Sequence, residues 1–287
     1  MRKTRLIVNA DDCGWSRGIT KGILLAHRYG TVTSTSLMVN QPATCHAVEL
    51  LRGAPSLGVG IHLTLSDGAP VLSRDRVPTL VDENGNFFPW QRFVHLLWRL
   101  RVSPAEMEAE FRAQIRRVRE LGITPTNADS HHHIHLHPLV ARPFYHALRG
   151  EGIDRVRSPR HRFLPSNSFW NASYSGPWYS RAFLGVYTAF LQRFVGRRLR
   201  RPDCTVYSHP PTQQSLGILE NDWVDSLRNL PPGTYELCCH PGFSEKGFSE
   251  HDGFSARREA ELRVLTSTQF RQLIEENQIQ LINYAAL

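Results

Sequence analysis

The chain has 287 residues, 41 % hydrophobic and 21 % charged, which excludes intrinsic disorder and allows a full core in one large domain or two smaller ones. The formal charge of +8 could serve an acidic partner. Much of it is local, however, to Arg193, Arg197, Arg198, Arg200 and Arg201, and with no nucleic-acid motif beside it a duplex-binding role is not expected.

Leu6-Ile7-Val8-Asn9-Ala10 is a short apolar run that reads as a buried strand, and Asp11-Asp12-Cys13-Gly14 follows it at once. Ser16 can cap a helix running through Ile19, Ile23, Leu24 and His27, with Gly30 as its stop. Two adjacent carboxylates therefore sit at the C-terminal end of a strand. Adjacent residues on an extended end point apart, so they can hold different jobs. Like charges this close raise one pKa unless a cation neutralises them. A plain acidic turn that only caps the helix is the simpler alternative.

Further strand-like runs cover residues 33–40 and 58–64. The second ends near His62, which taken alone reads as a satisfied core histidine. Residues 66–98 read as a loop, with a turn at residues 82–86. Residues 104–121 form the clearest helical pattern: Met107, Phe111, Ile115, Val118 and Leu121 recur at three- and four-residue steps, and Gly122 stops it.

A strand over residues 124–131 then leads into Asp129-Ser130-His131-His132-His133-Ile134-His135-Leu136-His137, with five histidines in seven residues. Imidazole is a common ligand of divalent transition metals, and carboxylate is its frequent partner. In extended backbone, alternation puts Asp129, His131, His133, His135 and His137 on one face and turns Ile134 and Leu136 toward apolar packing. A solvated, His-rich loop is the bland alternative. A helix over residues 138–148 follows, with proline at its start and Gly150 beyond its end.

Residues 155–158 read as a strand, and residues 158–178 as a loop rich in aromatics, including Phe163, Phe169, Trp170, Tyr174 and Trp178. This loop and the one at residues 66–98 read as lids over a site, or equally as loops pinned by their own aromatics. Residues 179–201 carry a helical stripe of Phe183, Val186, Tyr187, Phe190, Leu191 and Phe194 with arginines at its end. It reads as a barrel helix, with a membrane-surface role as the secondary reading. Strands over residues 204–208, 235–240 and 280–284 complete the order. The run at residues 235–240 closes on His240, just before a Pro-Gly turn.

Alternating strands and helices imply a parallel sheet, and about eight strands suit a closed or distorted βα-barrel formed as a single domain over residues 1–287. Such barrels place their chemistry at the C-terminal strand ends. Four of those ends deliver Asp, His, His and His, which argues for one shared pocket. The five cysteines are odd in number and irregularly spaced, so a reducing compartment is expected rather than a disulfide framework. Met1-Arg2-Lys3 leads into the first strand without a signal-peptide core, and no apolar run could span a bilayer, so a cytoplasmic location is expected.

Val8-Asn9-Ala10-Asp11-Asp12-Cys13-Gly14 resembles the opening motif of the YdjC-like carbohydrate deacetylases, with Cys13 where phenylalanine is usual. The run from Thr31 to Asn40, Gly60-Ile61-His62-Leu63, Asp129 to His135, Cys239-His240-Pro241-Gly242, Arg258-Glu259 and Ile282-Asn283-Tyr284 match the same family in order. Within it, the chain is most similar to the chitooligosaccharide and hopanoid-biosynthesis-associated deacetylases.

The resemblance implies a distorted, TIM-like βα-barrel of polysaccharide-deacetylase type with loop insertions. It also implies hydrolysis of an N-acetyl group from an amino sugar with the help of one divalent metal ion. Carried over residue by residue, Asp12, His62 and His131 would be the metal ligands, Asp11 the catalytic base and His240 the acid. The family suggests Mg2+, whereas two imidazoles and one carboxylate suit Zn2+, cobalt, nickel or iron better. His133, His135 and Asp129 are candidates to orient these groups. The substrate would be an N-acetylated saccharide or a glycolipid, the latter with peripheral contact at the inner membrane face. A homo-oligomer is left open. The rivals are another barrel metal hydrolase, an amidohydrolase or phosphoesterase, and a non-catalytic metal- or glycan-binding protein. Amidohydrolases and phosphoesterases often carry His-x-His on the first strand, where this chain has Asp11-Asp12.

Overall fold

The computed structural model describes residues 3–162, 199–207, 223–224, 227–228, 230–245 and 255–287. The expected aromatic loop at residues 158–178 and the basic helix at residues 179–201 lie largely outside these described residues, and so does the membrane-surface reading built on them.

The strands are β1 (Arg5–Cys13), β2 (Ser34–Leu37), β3 (Gly58–Leu63), β4 (Ala128–Ser130), β5 (His161–Arg162), β6 (Cys204–Tyr207), β7 (Thr234–Cys239) and β8 (Gln280–Leu281). Seven of them line up as β4-β3-β2-β1-β7-β6-β5, β8 adds to β1, and every pairing between these strands is parallel. The two ends of this row are tied together. Ala128 of β4 donates its N–H to the carbonyl of Arg155, and Arg157 donates back to the carbonyl of Ala128. The sheet thus curves into the expected distorted βα-barrel. The strand expected at residues 155–158 is instead a run of single bridges that close the ring, because Val156 pairs with Ala128 and Arg155 with Arg200 without forming a continuous ladder.

Helices cover the outside: α1 (Arg17–Tyr29), α2 (Thr44–Leu51), α3 (Trp90–Trp98), α4 (Pro104–Glu120), α5 (Pro138–Gly150), α6 (Ser255–Thr266) and α7 (Thr268–Glu276). The caps of α1 and α4 follow the sequence: Ser16 accepts from Ile19 N, and Ser103 from Glu106 N with Pro104 behind it. α3 corrects the reading of residues 66–98 as loop throughout. Phe93 and Leu97 bury one face of α3, a pattern too short to stand out beside the prolines and turn residues before it. The turn at residues 82–86 is present, with Gly85 at φ +80° and Val81 bridged to Phe87. No helix among the described residues is long and apolar enough to cross a membrane.

Alternation along the strands separates two environments. On β1, Leu6, Val8 and Ala10 join the large apolar cluster shared with the helices, and on β7 Tyr235, Leu237 and Cys239 do the same. The opposite faces look into the barrel. Ile7 packs there with Ile282 and Tyr284 at the bottom. Above them the lining turns polar: Asn9 and Asp11 of β1, Ser36 of β2, His62 of β3, Asp129 of β4, and Glu236 with Cys238 of β7, all buried.

The turn after β7 is pinned against α1. A Cβ added at Gly22 would lie 2.5 Å from Gly242 Cα, a backbone atom that cannot step aside alone. Gly22→Ala is expected to cost about 1–3 kcal/mol, the scale of overpacking, read as a lower urea midpoint with an unchanged slope.

Candidate metal centre and its charged surround

The two aspartates at the end of β1 reach different partners because the strand is bulged there. The β1–β2 register shifts between Ala10 and Cys13, and Asp12 takes φ +67°. Simple extended alternation therefore does not explain their divergence; the bulge and one left-handed residue do. Asp11 points into the barrel, and Asp12 lies over the ends of β3 and β4.

Asp12 is clasped on both sides. Its Oδ1 lies 3.0 Å from His131 Nδ1 and 3.4 Å from His62 Nε2, and its Oδ2 accepts from Arg258 Nη2 at 2.7 Å. The three expected ligands, Asp12, His62 and His131, thus come together, each offering a ligand atom within 4.8 Å of the others. The other ring nitrogen of His62, Nδ1, is 2.7 Å from Asp129 Oδ1. That contact fixes the ring and leaves Nε2 facing Asp12.

Asp11 belongs to a second, deeper network. The Arg157 guanidinium holds Asp11 Oδ1 at 2.6 Å, Asp129 Oδ2 at 2.8 Å and Glu236 Oε1 at 2.9 Å. Asn9 donates to Asp11 Oδ1 and Ser36 to Asp129 Oδ2, so the carboxylate oxygens are well satisfied. Burial alone would raise the Asp11 pKa. Arg157 and His62 outweigh it and hold the carboxyl well below the usual carboxylate range. The same contest keeps Asp12 low, with Arg258 and His131 outweighing burial. Glu236 goes the other way and is raised, with burial the largest cause.

His240 sits just past β7. Its Nε2 is 3.9 Å from Asp11 Oδ2, and its backbone is held by α6: the His240 N–H donates to Glu261, and its carbonyl accepts from Arg258 at 3.4 Å. Burial lowers the His240 pKa, so the resting ring is neutral at neutral pH.

The expected single face of five histidines does not form. β4 stops at Ser130, and residues His131–Leu136 wind into 3-10 turns with His132 and His133 both at φ 51°. The reason is local: Ser130 Oγ accepts the His135 N–H and meets His135 Nδ1 at 2.6 Å, folding the chain back on itself. The five rings consequently scatter. His131 goes to Asp12, and His132 stacks on Trp90 with centroids 4.8 Å apart. His133 Nδ1 lies 3.4 Å from Arg157, and His135 stacks on Phe144. His137 caps α5, its Nδ1 accepting from Leu139 N. Ile134 is buried in the large apolar cluster, as expected, and Leu136 is buried outside it.

The donor set suits a divalent cation. Four buried carboxylates, Asp11, Asp12, Asp129 and Glu236, face two guanidiniums, Arg157 and Arg258. The excess negative charge draws protons onto the imidazoles. Burial lowers His62, but Asp129 and Asp11 outweigh it and push it up to about 10; His131 is raised over the same opposition by Asp12. One divalent ion held by Asp12, His62 and His131 would balance that charge with both rings neutral.

Sequence reasoning missed Arg157 and Glu236, and it drew on Arg258 only for family likeness. The signal for two of them was present. Glu236 interrupts an apolar strand, and Arg157 falls at a strand-like position, where a charge survives only if paired. Arg157→Met would leave three buried carboxylates without their cation. It is expected to cost about 3–5 kcal/mol, with Arg157→Lys losing less because the charge remains without the fork; urea unfolding of both variants reads the difference.

The chain is similar to known proteins over nearly its whole length. A carbohydrate deacetylase from Halalkalibacterium halodurans is 49 % identical over 266 residues, covering 91 % of this chain and 95 % of that one. A carbohydrate deacetylase from Brevibacillus brevis is 36 % identical over 285 residues, covering 99 % of each. A crystal structure from Enterococcus faecalis V583, ascribed to cellobiose-phosphate cleavage, superposes with a TM-score of 0.81 at 28 % identity, covering 99 % of this chain and 98 % of that one. The family model described as YdjC-like protein matches residues 5–276, and the chain belongs to the YdjC-like family.

Proposed function

We propose that the protein is a hydrolase that removes the N-acetyl group of an acetylated amino sugar and releases acetate. The observation that carries this reading is the division of labour at the end of β1. Asp12 stands between two imidazoles, where it can serve as a metal ligand, while the pKa of its neighbour Asp11 is held low by Arg157 and that of His240, which it faces, is lowered by burial. The two relatives described above, both named carbohydrate deacetylases, support the same chemistry.

Asp12, His62 and His131 would hold the divalent ion. When bound, such an ion supplies Lewis acidity toward water and the amide carbonyl. A set of two nitrogens and one oxygen favours zinc, cobalt, nickel or iron over magnesium, which prefers oxygen throughout.

The chain's own residues then manage the proton. Asp11 is a carboxylate at neutral pH and can accept a proton from the attacking water. Arg157 keeps that oxygen a weak holder of the proton. His240, neutral at rest with Nε2 3.9 Å from Asp11 Oδ2, takes the proton on once the two groups close to hydrogen-bonding distance in the substrate complex, and delivers it to the leaving nitrogen. The water thus supplies a hydroxyl to the acetyl carbon and a proton to the amine, and the two products are acetate and a free amino sugar. Trp15, whose ring centroid is 5.0 Å from that of His131, and Trp90, stacked on His132, place two aromatic rings beside these histidines. The substrate in this reading is an N-acetylglucosamine-type saccharide, in line with relatives named carbohydrate deacetylases.

Two outcomes check the assignments. Purified protein should hold about one divalent ion per chain, and the His62→Ala, His131→Ala double variant should lose it; unchanged metal content in that variant sinks the ligand set. Asp11→Asn should keep the ion but release acetate from chitobiose roughly 10²-fold more slowly, the scale of general-base effects. Loss of the metal in Asp11→Asn would mean that the two aspartates have the opposite roles.

A further inference from the structure

β7 brings a thiol into the barrel that this chemistry does not use. Alternation along the strand puts Glu236, Cys238 and, just beyond its end, His240 on one side, while Cys239 turns away and donates to the carbonyl of Asn9. Cys238 Sγ lies 3.3 Å from Asp11 Oδ2, the same oxygen that lies 3.9 Å from His240 Nε2. Asp11, Cys238 and His240 each offer a ligand atom, all within 4.8 Å of one another. A carboxylate, a thiol and an imidazole at that spacing are a ligand set for a soft or borderline divalent ion, and the thiol makes it a poor one for magnesium. The Asp12, His62 and His131 set has no sulfur. The His240 side chain is 19 % exposed, so an ion has a way in.

We infer that Asp11, Cys238 and His240 form a second metal site, selective for thiophilic divalent ions such as Zn2+ or Cd2+, whose filling switches the enzyme off. The inference rests on the proposed roles of Asp11 and His240, since an ion there occupies both the base and the acid. Binding replaces the S–H proton: the thiol proton leaves to solvent, a sulfur–metal bond forms, and nothing is oxidised or reduced. Arg157 Nη1, 2.8 Å from the same Asp11 oxygen, opposes a cation, so this site fills after the Asp12 set and only when metal is in excess. The enzyme is then active with its first ion and inhibited by surplus zinc, but not by surplus magnesium.

Titration of the full chain with Co2+ or Cd2+ tests this, in a Cys45→Ser background that removes the exposed thiol. Two equivalents are expected to bind, and thiolate-to-metal charge-transfer absorption should grow only with the second. Cys238→Ala should abolish that absorption and the second equivalent while retaining the first. In acetate-release assays, free Zn2+ at ten times the second dissociation constant should slow the parent about tenfold by simple occupancy and leave Cys238→Ala without this added inhibition. A single equivalent in the parent, or charge-transfer absorption that survives Cys238→Ala, overturns the site. Filling of the second site without any slowing overturns the inhibitory switch and removes Asp11 and His240 from the proposed proton path, while the binding data still report the site itself.

Discussion

One guanidinium holds the interior of this barrel together. Arg157 reaches carboxylates from β1, β4 and β7 at once, so strands from opposite parts of the ring are joined through a single cation. Placing Asp11, Asp129 and Glu236 in the barrel without that charge would force protonation or expansion, because each buried anion is costly alone. The same contact shapes the chemistry. It holds Asp11 ionised, and through Asp129 it orients His62. Structure and site therefore depend on the same interaction, and changes to either are expected to couple.

A second clamp comes from the C-terminal part of the chain. α6 presents Arg258 to Asp12 and Glu261 to the backbone of His240, so one helix sets both a proposed ligand and the proposed acid. Glu261 is itself held by Arg257 of the same helix. Backbone strain is concentrated nearby. Asp12, Asp67, His132 and His133 all have positive φ without being glycine. Asp67 shares an oxygen between the rings of His131 and His132 at 3.4 Å each. These contacts tie the left-handed Asp67 to the left-handed His132 beside the proposed metal centre, and local strain of this kind clusters at functional sites.

The environment also separates the two neighbouring aspartates, for which different roles are proposed. Both are buried and both are held below the carboxylate range, so their burial does not distinguish them. Their partners do. Asp12 meets nitrogen donors able to share a metal, and Asp11 meets hydrogen-bond donors, an imidazole beyond hydrogen-bonding reach and a thiol. The β-bulge that separates them is a backbone feature of the β1–β2 pair and depends on β2 being in register.

Much of this was written locally in the chain. The apolar runs ending in Asp11-Asp12, His62 and His240 marked strands, the three- and four-residue spacing of Met107 to Val118 marked α4, and Ser16 and Ser103 marked their caps, because propensity and periodicity act over a few residues. Together with the motif matches they named Asp11, Asp12, His62, His131 and His240, and the structure brings all five to one end of the barrel. What the sequence could not supply were relations between distant residues and departures from regular backbone. The histidine run was read as extended because alternation is the default for a strand. The His135 N–H folding back onto Ser130 Oγ ended it at Ser130, before the first histidine. Arg157 fell in a strand-like run at residues 155–158, which gave its charge a position but no partners. Only ring closure, which brings β1, β4 and β7 around it, gave it three buried carboxylates, since a charge is stabilised in the interior by partners that no local pattern encodes.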